Sequence, residues 1–97
     1  PVLCIIPYAD TDEAIRIANG TGFGLAGAVW GPDDVSAMAV ARQMRAGQID
    51  INGAPFNPEA PFGGFGLSGM GRENGTYGFA SFLEYRSLQL PPAIGTA

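Results

Sequence analysis

A fourteen-residue segment in the second half of the chain has the spacing of a nucleotide-binding loop. The segment PFGGFGLSGMGREN, residues 61–74, places Gly64, Gly66 and Gly69 in the order G-x-G-x-x-G. In dinucleotide-binding folds this spacing needs a buried strand before it and a helix start after it. Here three prolines lie just upstream and two more glycines follow, which excludes a central strand and weakens a helix. We therefore interpret the segment as a loop in which backbone passes close to other backbone.

Side chains that could carry out a reaction are few. Cys4 is the only cysteine, the chain has no histidine to activate it, and its apolar neighbours predict a buried, unreactive thiol. The acidic residues are scattered over turns and helix starts, which predicts no metal site. Ser68 lacks both a base and a nucleophile turn. For the adjacent Arg72 and Glu73, an ion pair or ties to backbone are favoured over catalysis. We predict no catalytic residue, no cofactor-binding residue and no metal ligand in this chain.

Two phenylalanines near the loop are candidates for a binding pocket. Phe56 and Phe62 follow a predicted buried strand where the chain becomes irregular, and loops held by a rigid scaffold often shape binding sites. Aromatic side chains in such loops can line an apolar pocket. They can also simply close the local core. Spacing alone favours the second interpretation, and the residues leave both open.

Composition restricts the class of partner and the compartment. The 97 residues carry a net charge of −4 and no basic patch, so we expect neither nucleic acid nor a membrane as a partner. A single cysteine and the lack of a signal-peptide pattern favour a reducing, cytoplasmic location. The chain starts at a proline and not at a methionine, and we expect it to be a piece of a longer protein.

Strand and helix signals alternate through the first half of the chain. Short apolar or alternating runs predict strands, and capping residues followed by apolar residues at helical spacing predict helices. Asp10 with Glu13 predicts the start of the first helix, and Asp33 or Asp34 predicts the start of the second. The predicted strands are residues 2–6, 24–30 and 48–52, and the predicted helices are residues 10–20 and a segment from 33 or 34 to 46.

The second half has no such alternation until its end. Residues 53–72 show no periodicity, the segment ENGTYGFASF predicts a short helix, and Leu83–Leu90 alternates as a strand. The predicted fold class is α/β: a mostly parallel βαβαβ sheet, then a glycine-rich loop, a short helix and a C-terminal strand.

Three segments resemble one enzyme family. PVLCIIPYADTDEAIRIANGTGFGLAGAVW, ARQMRAGQIDING and PFGGFGLSGMGRE are similar, in this order, to the C-terminal portion of the NAD(P)-dependent aldehyde dehydrogenases. The resemblance implies that residues 1–82 end the catalytic α/β domain. It implies that residues 83–97 form an oligomerisation strand and tail, so that Leu83–Leu90 makes a homo-oligomer.

The resemblance also implies roles for the two phenylalanines. In the family this segment borders the aldehyde tunnel, so Phe62 is expected near the reacting carbon of a small aldehyde substrate and Phe56 along the same wall. The family forms a thiohemiacetal on a cysteine far upstream and binds NAD or NADP mainly through upstream residues. The chain alone is therefore predicted to be inactive. Gly66 stands where many members have lysine, which leaves the substrate subclass open.

Two alternatives stay beside this interpretation. One is a truncated homologue that only binds or assembles, a non-catalytic interaction module. The other is a semialdehyde or CoA-acylating member of the same superfamily, which the tunnel residues do not exclude.

Overall fold

The computed structural model describes residues 1–92. It contains two four-residue strands, two eight-residue helices, a short third helix and one 3₁₀ turn. In chain order these are α1 (Thr11–Ala18), β1 (Ala26–Val29), α2 (Asp34–Ala41), β2 (Gln48–Ile51), the 3₁₀ turn (Gly66–Ser68) and α3 (Gly75–Ala80). The predictions of both helices, of the second and third strands and of the short last helix are confirmed, with boundaries that differ by several residues.

A two-stranded parallel sheet forms the centre of the fold. β1 and β2 pair in register from Ala26 opposite Gln48 to Val29 opposite Ile51. The crossover helix α2 packs on both strands, as a parallel pair requires. Ala37 and Ala41 of α2 are the buried apolar residues of the described chain.

Both long helices begin at an aspartate. The carboxylate of Asp10 accepts a hydrogen bond from the Glu13 N–H at 2.8 Å, and the Glu13 carboxylate accepts one from the Ala9 N–H. At α2 the cap is Asp33 and not Asp34: its carboxylate accepts from the Ser36 N–H at 2.9 Å and from the Ser36 hydroxyl. The Ser36 backbone bond, followed by the hydroxyl, lowers the pKa of Asp33 below its usual value.

Two predicted strands are absent from the described structure. Residues 2–6 and 83–90 form no strand, and their large apolar side chains are exposed, with Ile5 and Leu90 almost fully so. A strand exists only when its backbone pairs with another segment, and neither segment pairs within residues 1–92. The predicted three-strand βαβαβ sheet is therefore wrong for residues 1–92, where the sheet contains two strands. Residues 93–97 of the predicted tail lie outside the described residues.

The chain is extended and buries little apolar surface. Its radius of gyration is 20.3 Å, against about 12.5 Å for a compact domain of this length. Large apolar side chains are exposed along the described chain, including Val2, Trp30 and Phe82, far more than a soluble monomer usually exposes. None of the helices within residues 1–92 has the length and apolar character that a bilayer crossing requires.

Candidate functional site

The glycine-rich loop, residues 53–74, is attached to the sheet at Gly24. The Gly24 carbonyl accepts hydrogen bonds from the Phe65 N–H at 2.9 Å and from the Gly47 N–H at 3.1 Å. The Gly24 N–H donates to the hydroxyl of Ser68 at 2.9 Å. Gly24, which precedes β1, therefore connects the loop to the segment that leads into β2.

Four of the six amides of the G-x-G-x-x-G motif, those of Phe65, Leu67, Ser68 and Gly69, donate to carbonyl groups of the described chain. The Leu67 N–H donates to the Gly22 carbonyl at 2.8 Å, and the Ser68 and Gly69 N–H groups donate to Phe65 and Gly66. A phosphate-binding loop needs free N–H groups directed at the ligand. These residues do not fit the pyrophosphate of a dinucleotide, and the prediction of a loop that approaches other backbone is confirmed.

Two glycines show how close that approach is. A Cβ atom on Gly47 would lie 1.6 Å from the Gly63 carbonyl oxygen, and one on Gly64 would lie 2.4 Å from the Ser68 Cβ. Any side chain at these positions would displace backbone. Gly47 thus allows the loop to approach the segment before β2, and Gly64 allows the loop to fold closely on itself.

Phe62 is held by a short backbone bridge. Its N–H donates to the Glu73 carbonyl at 2.8 Å, and the Glu73 N–H donates back to the Phe62 carbonyl at 2.6 Å. The bridge joins the two ends of the segment that contains the motif. The ring of Phe56 meets that of Phe62 edge-on, with centroids 6.2 Å apart and planes at 79°, an arrangement that aromatic pairs favour.

Arg72 lies across the inside of the loop. Its Nη1 donates to the Gly64 carbonyl at 3.1 Å and to the Gly71 carbonyl. Its guanidinium carbon lies 5.2 Å from the centre of the Phe65 ring. Of the two structural interpretations of Arg72 and Glu73, the ties to backbone are confirmed. No ion pair joins these two side chains within residues 1–92.

A cavity of about 590 Å³ opens beside the loop. Phe62, Gly63 and Gly64 form one side of it, and Arg72 and Glu73 contribute its charged groups. This volume lies in the range of small-molecule sites, about 300–1,000 Å³. Further apolar lining comes from residues that the sequence did not single out: Leu25, Met70 and Phe82.

The two predicted site residues differ in their relation to this cavity. Phe62 borders it, whereas Phe56 contacts Phe62 and is not part of the lining. The structure brings the two rings together. Their predicted contact with an aldehyde stays a prediction.

The cysteine of the chain is not part of the cavity lining. Cys4 is exposed, so the prediction of a buried thiol is wrong, because the strand that was expected to bury it has no partner here. Within the described residues no three His, Cys, Asp or Glu side chains are close enough together to hold a metal ion. The cavity therefore has the character of a binding wall made mostly of apolar and glycine residues, with Arg72 and Glu73 as its charged groups.

Comparison with known sequences places this wall in a family. The sequence profile of the aldehyde dehydrogenase family matches residues 1–88, and the chain belongs to that family. A Staphylococcus saprophyticus protein, provisionally named an aldehyde dehydrogenase, is 51% identical over 88 residues. That match covers 91% of this chain and 18% of the relative, so the chain spans about 18% of the length of the curated relatives it matches.

Solved structures share the fold as well as the sequence. Aldehyde dehydrogenase C of Pseudomonas syringae, a mutant with NAD⁺ and octanal, is 51% identical and has a TM-score of 0.84 over 87% of this chain and 17% of its own. A Mycobacterium tuberculosis aldehyde dehydrogenase with NAD⁺ is 44% identical, with a TM-score of 0.91 over 99% of this chain and 20% of its own. Succinic semialdehyde dehydrogenase of Streptococcus pyogenes, with NADP⁺, is 37% identical, with a TM-score of 0.80 over 88% of this chain and 19% of its own.

Proposed function

We propose that this chain is the C-terminal part of an NAD(P)-dependent aldehyde dehydrogenase, called the parent enzyme below. The parent enzyme oxidises an aldehyde to a carboxylic acid, and this part supplies a wall of the aldehyde tunnel and subunit contacts. One observation carries the proposal: Phe62 borders a cavity of about 590 Å³ in a chain that belongs to the aldehyde dehydrogenase family.

The exposed apolar surface supports a place inside a larger protein. The described residues bury only Ala37 and Ala41 among apolar side chains and leave large ones such as Leu3 and Tyr85 in solvent. Burial of apolar area is the main favourable term in folding. A core this small therefore gives the chain little stability by itself. About four fifths of the similar Mycobacterium tuberculosis chain lies outside the matched part, and the corresponding part of the parent enzyme would cover this surface.

The residues of this chain have a binding role in the proposed reaction. Phe62 and Phe56 exclude water from the aldehyde and contact its apolar portion, while Gly63 and Gly64 leave room beside them. The thiohemiacetal forms on a cysteine outside this chain, since the exposed Cys4 does not border the cavity. The activity therefore needs the parent enzyme, and the 97 residues alone are inactive in this proposal.

NAD or NADP is the proposed cofactor of the parent enzyme. Similar structures were solved with NAD⁺ and with NADP⁺, which supports a nicotinamide dinucleotide without choosing between the two. Four of the six amides of the G-x-G-x-x-G motif donate to other backbone, which supports assigning the binding of the cofactor mainly to residues outside this chain. That cofactor accepts the hydride in the oxidation.

Residues 83–90 are the proposed subunit contact of a cytoplasmic homo-oligomer. They form no strand within residues 1–92, and Leu88 and Leu90 are exposed, as in a segment that adds a strand to another sheet. Deleting residues 83–97 from the parent enzyme is expected to lower its mass in sedimentation. An unchanged mass would contradict this contact.

The tunnel role is tested with Phe62→Ala in the parent enzyme. A phenylalanine that becomes fully buried against the aldehyde contributes about 1.5–3 kcal/mol of apolar burial, so kcat/KM for hexanal is expected to fall by about tenfold or more in its absence. The affinity for NAD(P) should be nearly unchanged, because Phe62 is assigned to the aldehyde side only. The assay includes succinic semialdehyde, which tests the semialdehyde alternative.

Phe79→Ala is the matched control, because Phe79 is exposed on α3 and does not line the cavity. Its kinetics should stay within about twofold of wild type. Unaltered aldehyde kinetics in Phe62→Ala would remove Phe62 from the site. A wild-type parent enzyme that oxidises no aldehyde would favour the non-catalytic alternative.

A further inference from the structure

Arg72 contacts the glycine-rich loop on three sides. Its Nη1 lies 3.1 Å from the Gly64 carbonyl oxygen and also bonds to the Gly71 carbonyl. Its guanidinium carbon lies 5.2 Å from the centre of the Phe65 ring, within the range of cation–π attraction. The Arg72 side chain therefore links Gly64 and Phe65, at the start of the motif, to Gly71.

The stem of Arg72 also fits against the backbone. A Cβ atom on Gly63 would lie 3.0 Å from the Arg72 Cδ and 3.2 Å from its Nη1. Gly63 thus leaves the space that the arginine occupies. This packing and the two carbonyl bonds place the guanidinium directly beneath the residues that follow Phe62.

Phe62 is fixed between two points that Arg72 controls. On one side Phe62 forms the backbone bridge with Glu73, the residue after Arg72. On the other side Gly64, two residues after Phe62, accepts the Arg72 hydrogen bond. Arg72 and its neighbour Glu73 therefore restrain the backbone on both sides of Phe62, and this limits how far the ring can move relative to the cavity.

We propose that Arg72 is a positioning residue that holds Phe62 in the cavity wall and so sets the aldehyde chain length that the wall accepts. The inference rests on the proposed function for its kinetic part. Arg72 borders the cavity, but in this proposal it acts through Gly64, Phe65 and the bridge and not by contact with the aldehyde.

The experiment uses full-length parent enzyme with three single variants. Both carbonyl bonds come from one nitrogen of Arg72, so the single amine of Arg72→Lys can replace that donor, whereas Arg72→Met keeps the stem and removes it. The control is Arg42→Met, since Arg42 is exposed and its side chain makes no hydrogen bond or ion pair in the part of the chain that the structure describes. Each enzyme oxidises acetaldehyde, hexanal and octanal with the cofactor that wild type uses.

Arg72→Met is expected to raise KM for octanal by about tenfold and KM for acetaldehyde by less than about threefold, because apolar contact grows with the length of the aldehyde. The kcat at saturation should change by less than about twofold. Arg72→Lys should restore most of the octanal KM, and Arg42→Met should match wild type. An equal loss of kcat/KM for all three aldehydes, or no rescue by lysine, would overturn the proposal.

Amide hydrogen exchange provides a second readout that does not depend on activity. In Arg72→Met, residues 62–68 should exchange about tenfold faster, while residues 26–41 keep their wild-type protection. Unchanged exchange in residues 62–68 overturns the positioning role. If wild type oxidises none of the aldehydes, the proposed function fails, and the exchange result alone decides whether Arg72 holds the Phe62 segment.

Discussion

The unit of β1, α2 and β2 and the glycine-rich loop are held by different kinds of interaction. The unit is held by a regular parallel ladder of hydrogen bonds and by two buried alanines of α2. The loop contains only a 3₁₀ turn and one backbone bridge, and it is fastened by individual bonds such as those to Gly24 and those from Arg72. Repeated small contacts stabilise the first region, whereas a few irreplaceable ones hold the second.

This difference has a consequence for tolerance to mutation. In a periodic unit the loss of one contact is shared by neighbours, and volume changes in the core cost moderate amounts. In the loop, a backbone group that approaches another backbone group cannot be moved without moving the whole segment. We therefore expect the largest effects where the loop meets the segment before β2.

Gly47→Ala in the parent enzyme has the largest expected effect. The new methyl group would overlap the Gly63 carbonyl, at a separation of 1.6 Å, so the loop must move away from the sheet. A loss of more than about 3 kcal/mol is expected, measured as a lower Tm and as faster hydrogen exchange in residues 62–68. Gly69→Ala is the control for backbone conformation alone.

Gly69 has a positive φ of 115° but no atom within 4 Å of an added Cβ. Its substitution should cost about 1–3 kcal/mol through strain, without displacing the loop. An equal Tm loss in the two variants would show that close approach at Gly47 is not what separates the two regions.

Ala37→Leu has an intermediate expected effect, confined to the unit. Ala37 is 1% exposed and lies in α2, which packs on β1 and β2. Overpacking there should cost about 1–3 kcal/mol and lower Tm by a few degrees. Because α2 does not line the cavity, KM for hexanal should stay within about twofold.

Ala39→Leu is the matched control, at an exposed position of the same helix, with an expected change within about 0.5 kcal/mol. A hexanal KM that shifts with Ala37→Leu would show that the two regions are coupled more strongly than their contacts indicate.

Asp33→Ala has the smallest expected effect, and it depends on pH. The Ser36 hydrogen bonds lower the pKa of the folded Asp33 carboxyl, so the charged form stabilises the folded state above the unfolded pKa of about 3.9. The stabilisation is lost as pH falls through the still lower folded pKa. The Tm of wild type should exceed that of Asp33→Ala at pH 7, and the difference should shrink below about pH 4.

Asp33→Asn separates charge from hydrogen bonding. It retains a side-chain acceptor for the Ser36 N–H, so its Tm should lie between the other two at pH 7. A Tm difference that is constant from pH 7 to pH 3 would mean that the carboxylate charge plays no part in the cap.

The helices, which depend on local signals, could be predicted from the sequence, whereas most of the long-range strand pairing could not. Capping residues and helical spacing located α1 and α2, because these signals act within one or two turns. Alternation in Leu83–Leu90 defines which side chains share a face, but strand formation depends on a partner that the pattern does not contain. The same reason explains the wrong strand at residues 2–6 and the wrong burial of Cys4.

The candidate site divides in a similar way. The aromatic spacing and the family resemblance directed attention to Phe56 and Phe62, and the structure places their rings in contact. The cavity lining by Met70 and Phe82 had no signal, because nonperiodic chain brings these residues together. For Arg72 the sequence left an ion pair and backbone ties open, since both use the same charged group and only geometry distinguishes them.

The three hydrogen bonds of Gly24 have a consequence for how such chains can vary in length. Its carbonyl and N–H connect to Gly47, Phe65 and Ser68, so two segments, the approach to β2 and the 3₁₀ turn, converge on a single residue. Inserting a residue into either segment would break its hydrogen bonds to Gly24 or move Gly24 away from the other segment. Length variation among natural or engineered relatives should therefore accumulate elsewhere, in the stretch between Gly53 and Pro61, where the backbone is free of this shared anchor.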